Sequence, residues 1–450
     1  ANYPILGDAL IPVVYNETSS KWVKADTESS TSTYGWYDYT NKKWANAVLV
    51  TETNRSTYQS ATAGTEITNS DILAFYVWIP RYKYKVWNIN KVIGTDSYNA
   101  QTTGIDIVFE SDKKSTGDIT CTYNFNLDTT NGGIDISTTT AETCTGSNGD
   151  YYTHPAFNFG ENEIRGFWIG KYELSSETPT ATNGGGSSTT LTARILPNVN
   201  SWRSNSVSNF STVIQSMQTN NNIYGLSTDK SLADSHMLTN MEWGAVAYLT
   251  NSNYGRCTDG VCTEVTINNC NTYITGIGAD TVSASRSSTT CTTDANKYNG
   301  SKGVLASTTG NVYGVYDMSG GTDEYVMGNM SSTGDSYTFY SSNAGFASSW
   351  YSNYSNQKYV NTYANGSSRN TQTAYNRARL GDATGEVVSS TGDYGGWYSD
   401  DTSFLLSSFS WFERGGDYSH SSIAGVFYFG NFAGGASRFY SARATLLWYS

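Results

Sequence analysis

The chain has 450 residues, with 39 acidic and 27 basic side chains and a formal net charge of −12. This acidic balance argues against a nucleic-acid-binding protein, because contacts to phosphates require clustered lysine and arginine. Aromatic residues make up 14% of the chain, which argues against disorder, and charged residues only 15%, which disfavours an ordinary cytosolic helical enzyme. A polar surface built from hydroxyl and amide side chains instead indicates an extracellular protein.

Residues 1–70 are predicted to form a small β-rich segment that serves in attachment or subunit contact. Within it, residues 5–15 predict a bent strand or a pair of strands, and residues 34–44 a turn that presents aromatic side chains. The apolar stretch 5–15 could pair as an added strand with another copy of the chain. Ala1 reads as the first residue of a processed form, and no apolar run is long enough to cross a bilayer.

Residues 72–87 give the firmest strand prediction. Phe75, Val77 and Ile79 alternate with other residues before Pro80, and a second alternating run follows the proline. Because proline cannot donate to a strand ladder, we expect two strands that meet at a corner. Further strands are predicted at residues 105–109 and 167–172.

Two segments predict helices. Residues 207–217 carry apolar side chains at helical spacing. Thr239 and Glu242 form a capping box, which predicts that a second helix runs from Asn240 to Thr250. After residue 251 the sequence predicts only short strands and long polar loops.

The six cysteines indicate disulfide bonds, because their number is even and the composition is that of a secreted protein. Six cysteines allow fifteen pairings. Their order in the sequence favours the three bonds Cys121–Cys144, Cys257–Cys262 and Cys270–Cys291. The first bond would stabilise the fold by roughly 3 kcal/mol in the chain-entropy account. A zinc site is disfavoured, because no CxxC pair occurs and the histidines are scattered, at His154, His236 and His420.

Several phrases in a fixed order carry a family resemblance: Val77-Trp78-Ile79-Pro80, FWIGKYE at 167–173, TNMEW at 239–243, NVYGVYDMSGG at 311–321, Arg414-Gly415-Gly416 and the late Arg443. Over roughly residues 72–450, with large insertions, the chain resembles the formylglycine-generating-enzyme or sulfatase-modifying-factor family. The resemblance implies an α+β, C-type-lectin-like domain over residues 71–450, with two main helices, short β-strands and long loops stapled by disulfides. Asp323-Glu324-Tyr325 stands where that family usually has Trp-Glu-Trp, so the local packing must differ.

The resemblance does not extend to the family's chemistry. Its enzymes oxidise a substrate cysteine with copper held by a cysteine pair near the C-terminus, and this chain has no cysteine after Cys291. No GxSxG motif is present either. We therefore expect no enzymatic activity, a structural role for Asp317 and Arg414, and a solvated turn at Asp400 and Asp401.

The region after residue 395 is the candidate ligand surface, since binding proteins of lectin-like fold use their C-terminal strands and loops. Its tyrosine, serine, asparagine and glycine content is typical of adaptable binding loops. The candidate ligand-binding residues are Trp397, Tyr398, Tyr418, His420, Tyr428, Asn431 and Tyr440. The last five are expected to be exposed, whereas Val426, Phe427 and Phe429 are expected to be core strand residues.

Two functions from different classes fit these observations. The first is a surface-displayed adhesin that binds carbohydrate or protein on a cell surface. The second is a structural subunit of an extracellular filament, pilus or phage appendage, in which residues 1–70 contact the neighbouring copy. No cofactor is assigned; calcium is a further hypothesis, because proteins of this fold often bind it, but no DxDxDG-type loop occurs.

Overall fold

Two sheets carry most of the long strands and meet around a buried helix. The computed structural model describes residues 1–114, 117–123, 141–270, 272–282, 291, 293–330, 339, 342–366, 372–392 and 394–449. The first strands are β1 (Ile11–Asn16), β2 (Lys21–Lys24), β3 (Asn46–Val50), β4 (Ile72–Pro80), β5 (Tyr82–Lys85), β6 (Ile107–Phe109), β7 (Thr120–Thr122), β8 (Thr143–Thr145), β9 (Tyr151–Thr153), β10 (Asn158–Phe159), β11 (Asn162–Glu163) and β12 (Gly166–Gly170). The later strands are β13 (Ser175–Ser176), β14 (Ala193–Arg194), β15 (Ala233–Met237), β16 (Cys257–Thr258), β17 (Val261–Cys262), β18 (Asp323–Met330), β19 (Asn361–Tyr363), β20 (Trp411–Gly415), β21 (Gly425–Phe432), β22 (Tyr440–Ser441) and β23 (Ala444–Trp448).

The helices are few and mostly short, so the protein is a mixed α+β structure. The α-helices are α1 (Glu52–Ser60), α2 (Ala100–Thr103), α3 (Val207–Gln215), α4 (Asn240–Thr250) and α5 (Gln372–Asn376). Turns of 3-10 helix lie at Tyr39–Asn41, Asn69–Asp71, Pro155–Phe157, Ser216–Gln218, Asp294–Asn296, Gly303–Ala306, Ser342–Ala344, Tyr354–Tyr359, Gly385–Val387, Trp397–Ser399 and Ser421–Ile423.

The larger sheet is antiparallel and has seven strands in the order β15-β23-β12-β4-β3-β1-β2. Its strands β1 to β3 come from residues 1–70, and β3 pairs directly with β4, so the predicted boundary at residue 70 falls between neighbours in one sheet. β1 is paired with β2 on one side and β3 on the other. The prediction that the 5–15 stretch adds to another chain as a strand is therefore wrong for residues 11–15, because β3 pairs with β1 from Ile11 to Val13 and β2 pairs with it from Val13 onward.

Both outer edges of this sheet are satisfied within the chain. On β2, the backbone N–H of Lys24 donates to Thr65 at 2.8 Å, and a second bond joins the neighbouring segment to Trp22. On β15, the side chain of Gln218 accepts from the Ser235 N–H at 2.7 Å and donates to the Ala233 carbonyl at 3.0 Å. Neither edge presents a free row of donors and acceptors to a further strand.

The proline at position 80 divides two strands as predicted. β4 ends at Pro80 in the seven-stranded sheet, and β5 begins at Tyr82 in a separate three-stranded sheet with β6 and β9. Every residue of β4 is buried, so its alternation does not separate a core face from a solvent face. The buried Arg81 fills the corner and donates to the carbonyls of Phe157 and Ile164, each at 3.1 Å.

Helix α4 begins and ends where the sequence predicts. The Glu242 N–H donates to Thr239 Oγ1 at 3.1 Å, and the Thr239 N–H donates to Glu242 Oε2 at 2.8 Å, which forms the expected capping box. All eleven residues of α4 are buried, so it forms the centre of the structure. The other predicted helix is α3, and the sequence did not predict α1, the four-residue α2 or the five-residue α5.

The three predicted disulfide bonds are confirmed: Cys121–Cys144, Cys257–Cys262 and Cys270–Cys291. The first two cross-link neighbouring strands, β7 to β8 and β16 to β17. Among the residues that the structure describes, no helix combines the length and apolar character required to span a bilayer.

Candidate functional site

Several predicted candidates meet on the smaller sheet, where β18 lies between β19 and β20, β21 follows β20, and β22 also pairs with β18. Register places Tyr325 opposite Glu413 and Asp323 opposite Tyr440. Because side chains alternate along a strand, Asp323 shares the face that Tyr325 and Glu413 occupy. The Tyr428 hydroxyl donates to Glu413 Oε1 at 3.0 Å and so belongs to the same face.

The opposite face of this sheet is structural. Arg414 is fully buried there and donates to the carbonyls of Tyr428, Asp382 and Ala383 and to Asn240 Oδ1, at 2.9–3.0 Å. This bonding confirms the expected structural role of Arg414, and it fixes β20 and β21 against helix α4.

A turn after β20 carries two further polar residues over the sheet. The register shifts between Arg414 and Gly415, and Gly415 and Gly416 have φ values of 86° and 70°, a region that glycine adopts without strain. A Cβ atom on Gly416 would lie 3.1 Å from Nδ1 of His420, so the glycine leaves room for the imidazole. His420 then stacks on the Tyr428 ring, with 5.4 Å between centroids.

We call the resulting group the acidic recess, formed by Asp323, Glu413, Asp417, His420, Tyr428 and Tyr440. His420 Nδ1 lies 3.9 Å from Asp323 Oδ1 and 3.8 Å from Asp417 Oδ1. The same nitrogen accepts a hydrogen bond from the Asp417 N–H at 2.9 Å. The Asp417 carboxylate is oriented by the N–H and hydroxyl of Ser419, which donate to its Oδ1 at 2.7 and 2.6 Å.

The three carboxylates of the acidic recess are buried and lack full partners. Asp323 is 3% exposed, Asp417 5% and Glu413 6%, whereas His420 keeps 29% of its side chain exposed and forms the opening. Oδ1 of Asp323 and Oε2 of Glu413 are buried without a hydrogen-bond donor. Within the described ranges, no lysine or arginine lies at ion-pair distance from these three side chains.

The electrostatics follow from this burial. Burial, and next the charges of Glu413 and Asp417, raise the pKa of Asp323 well above its ordinary value. Burial raises the pKa of Glu413 to about 8, although the hydroxyls of Tyr440 and Tyr428 act in the opposite direction. The acidic recess therefore holds protons at neutral pH or requires a cation.

Of the five candidates expected to be exposed, two are buried. Tyr428 is 3% exposed because it lies beneath His420, and Tyr440 is 8% exposed because it stacks between Tyr325 and Phe432, at 4.7 and 4.8 Å. Their expected exposure is wrong.

The other three are partly exposed. Tyr418 and His420 lie at the rim of the acidic recess. Asn431 lies farther along β21 and donates from Nδ2 to the Phe404 carbonyl at 2.5 Å.

Two candidates do not belong to the acidic recess. Trp397 is buried between Trp87 and Phe427, with ring centroids 5.1 and 5.0 Å away. The Tyr398 hydroxyl donates to Asn251 Oδ1 at 2.6 Å. Both therefore pack on the side of β21 that carries Phe427, which is a core strand residue as expected.

The expectation of a solvated turn at Asp400 is wrong. Asp400 is 1% exposed, its Oδ2 accepts from the Phe427 N–H at 3.0 Å, and burial raises its pKa well above the ordinary value. Asp317 occupies a turn with a φ of 63°, and its Oδ1 accepts from the Gly276 N–H at 2.8 Å and from the Asn268 amide at 2.9 Å. Its role in the structure is therefore the one expected.

The sequence analysis did not predict that Asp323, Glu413 and Asp417 lie together. The one signal for it is Asp323 itself, which stands where the resembled family usually has Trp. A polar cleft of about 440 Å³ on another surface was also not predicted. The cleft is lined in part by Asn158, Asn162, Tyr354, Gln357, Lys358 and Asn361. These residues come from segments distant in sequence, so no local pattern indicates it.

Within the described ranges, two groups of side chains could hold a metal ion. One contains Cys121 and Cys144, whose sulfurs are bonded to each other. The other is Asp323, Asp417 and His420 of the acidic recess. Calcium takes six to eight oxygen ligands, and a group of two carboxylates and an imidazole does not match that preference.

Comparison with known proteins gives no assignment. No protein-family model matches the sequence, and no curated protein matches it significantly. The family resemblance rests on the ordered phrases alone.

Proposed function

We propose that this chain is an extracellular, adhesin-like binding protein with a C-type-lectin-like domain, and that it binds a carbohydrate at the rim of the acidic recess. The order of the family phrases supports the fold, and the three disulfides support an oxidising location. The observation that carries the ligand proposal is the pair of partly exposed rings, Tyr418 and His420, above buried carboxylates.

The rim is held in a fixed orientation. The Tyr418 ring packs edge-on against Tyr273 at 5.0 Å, and the Arg203 guanidinium lies 3.9 Å from the centroid of the Tyr273 ring. A tyrosine oriented in this way offers a large amphipathic contact surface with little loss of conformational entropy on binding. Its ring can pack on the apolar face of a sugar, while the partly exposed imidazole of His420 beside it can form hydrogen bonds with the sugar hydroxyls.

The proposal is for binding without catalysis. The phrases that resemble the enzyme family are not accompanied by a cysteine after Cys291. The groups at the rim are suited to hydrogen bonding and ring contact, which favour recognition of an intact ligand.

A glycan array followed by titration with the best glycan tests the proposal. We expect Tyr418→Ala and His420→Ala to weaken binding at least tenfold, and Tyr3→Ala, which removes a tyrosine that is 52% exposed elsewhere, to leave it unchanged. Loss of binding in Tyr354→Ala alone would place the ligand in the polar cleft and contradict the proposal. Binding to a protein array only would replace the carbohydrate with a protein ligand.

The filament alternative has less support from the fold. The outer strands β2 and β15 of the seven-stranded sheet are both bonded within the chain, so strand addition would have to displace existing bonds. Electron microscopy of the purified protein separates the two functions. We expect monodisperse particles, and ordered polymers would favour the filament.

A further inference from the structure

We propose that the acidic recess binds one divalent transition-metal ion of the Mn²⁺ or Zn²⁺ class through Asp323, Asp417 and His420. The proposal does not depend on carbohydrate binding, because it concerns the metal alone.

The distances between the ligand atoms suit a small ion. Metal-to-ligand distances of about 2.0–2.2 Å place two ligands of one ion at most about 4.4 Å apart. His420 Nδ1 is 3.9 Å from Asp323 Oδ1 and 3.8 Å from Asp417 Oδ1, and the three ligand atoms all lie within 4.8 Å of one another. Small rotations of the side chains are therefore sufficient to enclose an ion.

A second observation points to a cation independently of the cluster. Oδ1 of Asp323 is buried and has no hydrogen-bond donor, and it faces the imidazole. A buried acceptor without a donor costs free energy, and an ionised one costs more. Since no described lysine or arginine pairs with these carboxylates, a metal ion is the cation that the geometry can accommodate.

The ring nitrogen that faces the carboxylates acts as a hydrogen-bond acceptor in the structure. The Asp417 N–H donates to Nδ1, so this nitrogen carries a lone pair, which is directed at that N–H in the structure. Metal binding would exchange that hydrogen bond for a metal–nitrogen bond. Gly416 leaves the space beside Nδ1 free of a side chain.

Glu413 supports the site as an outer residue. Its Oε1 accepts from the Tyr428 hydroxyl at 3.0 Å, and its Oε2 is buried without a donor. Tyr428 in turn stacks beneath His420 and sets the plane of the ring. An imidazole with carboxylates is a ligand set for first-row transition metals, whereas calcium prefers oxygen ligands alone.

Isothermal titration of chelator-treated full-length protein with MnCl₂ and, separately, ZnCl₂ tests the site. We expect one ion per chain for at least one metal. Loss of an outer partner typically weakens metal affinity by about 10- to 100-fold. We expect Asp323→Asn and His420→Ala to weaken the affinity by more than this, and Glu413→Gln to weaken it by about this much. Asp294→Asn, which alters a carboxylate that is 96% exposed, is the matched control and should bind as the wild type does.

Several outcomes would overturn the proposal. They are the absence of a stoichiometric ion in the wild-type protein, a metal affinity of Asp323→Asn equal to that of the wild type, and a site that selects Ca²⁺ over both metals. Near-UV circular dichroism of each variant establishes that it is folded. If Asp323→Asn does not fold, the metal affinity of His420→Ala and the Mn²⁺ electron paramagnetic resonance spectrum decide whether the site exists. Glycan binding measured in chelator is a separate readout, so failure of the metal site and failure of the proposed function are distinguishable.

Discussion

Arg443 forms a fully buried ion pair with Glu324: its Nε donates to Oε2 at 2.9 Å, and its Nη2 contacts Oε1. The remaining nitrogen, Nη1, donates to the carbonyl of Gly170 at 2.9 Å. Glu324 belongs to β18 and Gly170 to β12, so this one guanidinium joins the two main sheets. Arg443 and Gly170 belong to the phrases that carry the family resemblance, and in this structure Arg443 holds the two sheets together.

Removing one partner of this pair should be strongly destabilising. We expect Glu324→Gln to lower the free energy of unfolding by about 3–5 kcal/mol, because it leaves Arg443 charged and buried without its counter-ion. Urea unfolding measures the change. The control is Asp294→Asn, which breaks the exposed pair with Lys297 and should leave stability unchanged. Equal stability of the two variants would contradict the role assigned to Arg443.

The buried His236 predicts a dependence of stability on alkaline pH. Burial lowers its pKa, but Glu242, with Oε1 2.7 Å from Nε2, and Asp234 outweigh burial and raise the pKa from 6.5 to about 9. A raised pKa means that the imidazolium stabilises the fold fully below pH 6.5, and that this contribution is lost as the pH rises through about 9. Urea unfolding across this interval should show falling stability, and His236→Gln should show a smaller fall.

The matched control for that experiment is His154, a second buried histidine with the opposite shift. Burial lowers its pKa from 6.5 to about 3, so it affects stability only as the pH falls below 6.5. His154→Gln should therefore keep the wild-type slope at alkaline pH. An unchanged slope in His236→Gln would refute the ion-pair account.

Glu413 predicts a second pH dependence, in protein freed of metal by chelator. Because the pKa of Glu413 is raised from 4.5 to about 8, its protonated form stabilises the fold below pH 4.5, and this contribution is lost as the pH rises through about 8. Glu413→Gln carries no charge and should lose less stability over this interval. The control is Glu28→Gln, at an exposed position, which should keep the wild-type dependence of stability on pH. The prediction would be contradicted if Glu413→Gln showed the same dependence as this control.

Trp397 should prove to be a packing residue. Its indole lies between Trp87 and Phe427, so Trp397→Ala should lower the free energy of unfolding by about 3–5 kcal/mol. Tyr418→Ala, at the partly exposed rim, should cost much less stability. Thermal and urea unfolding compare the two, and a Trp397→Ala variant as stable as Tyr418→Ala would reverse this assignment.

The features that sequence predicted correctly depend on local rules. The capping box joins Thr239 to Glu242 within one turn, and Pro80 ends a strand because it lacks an N–H. The disulfides followed from order along the chain. At the site, the sequence identified Tyr418 and His420 as exposed candidates because their loop has the composition of binding surfaces.

The features that sequence missed depend on contacts between distant residues. Strand β18 begins with the carboxylates Asp323 and Glu324, and burial of Glu324 depends on Arg443, a partner 119 positions away. Asp400 is predicted to lie in a solvated turn. It is buried instead, and the Phe427 N–H of β21 donates to its carboxylate. Propensity and periodicity carry no information about such partners.

The position of β23 has a consequence for how the protein is made. Residues 444–448 lie between β15 and β12, one place in from the edge of the seven-stranded sheet, although they follow every other strand of that sheet along the chain. Until they leave the ribosome, β15 has no strand neighbour in this sheet and β12 has one open edge. During this interval the apolar strand β12 keeps an unpaired edge, which favours aggregation of the partly synthesised chain.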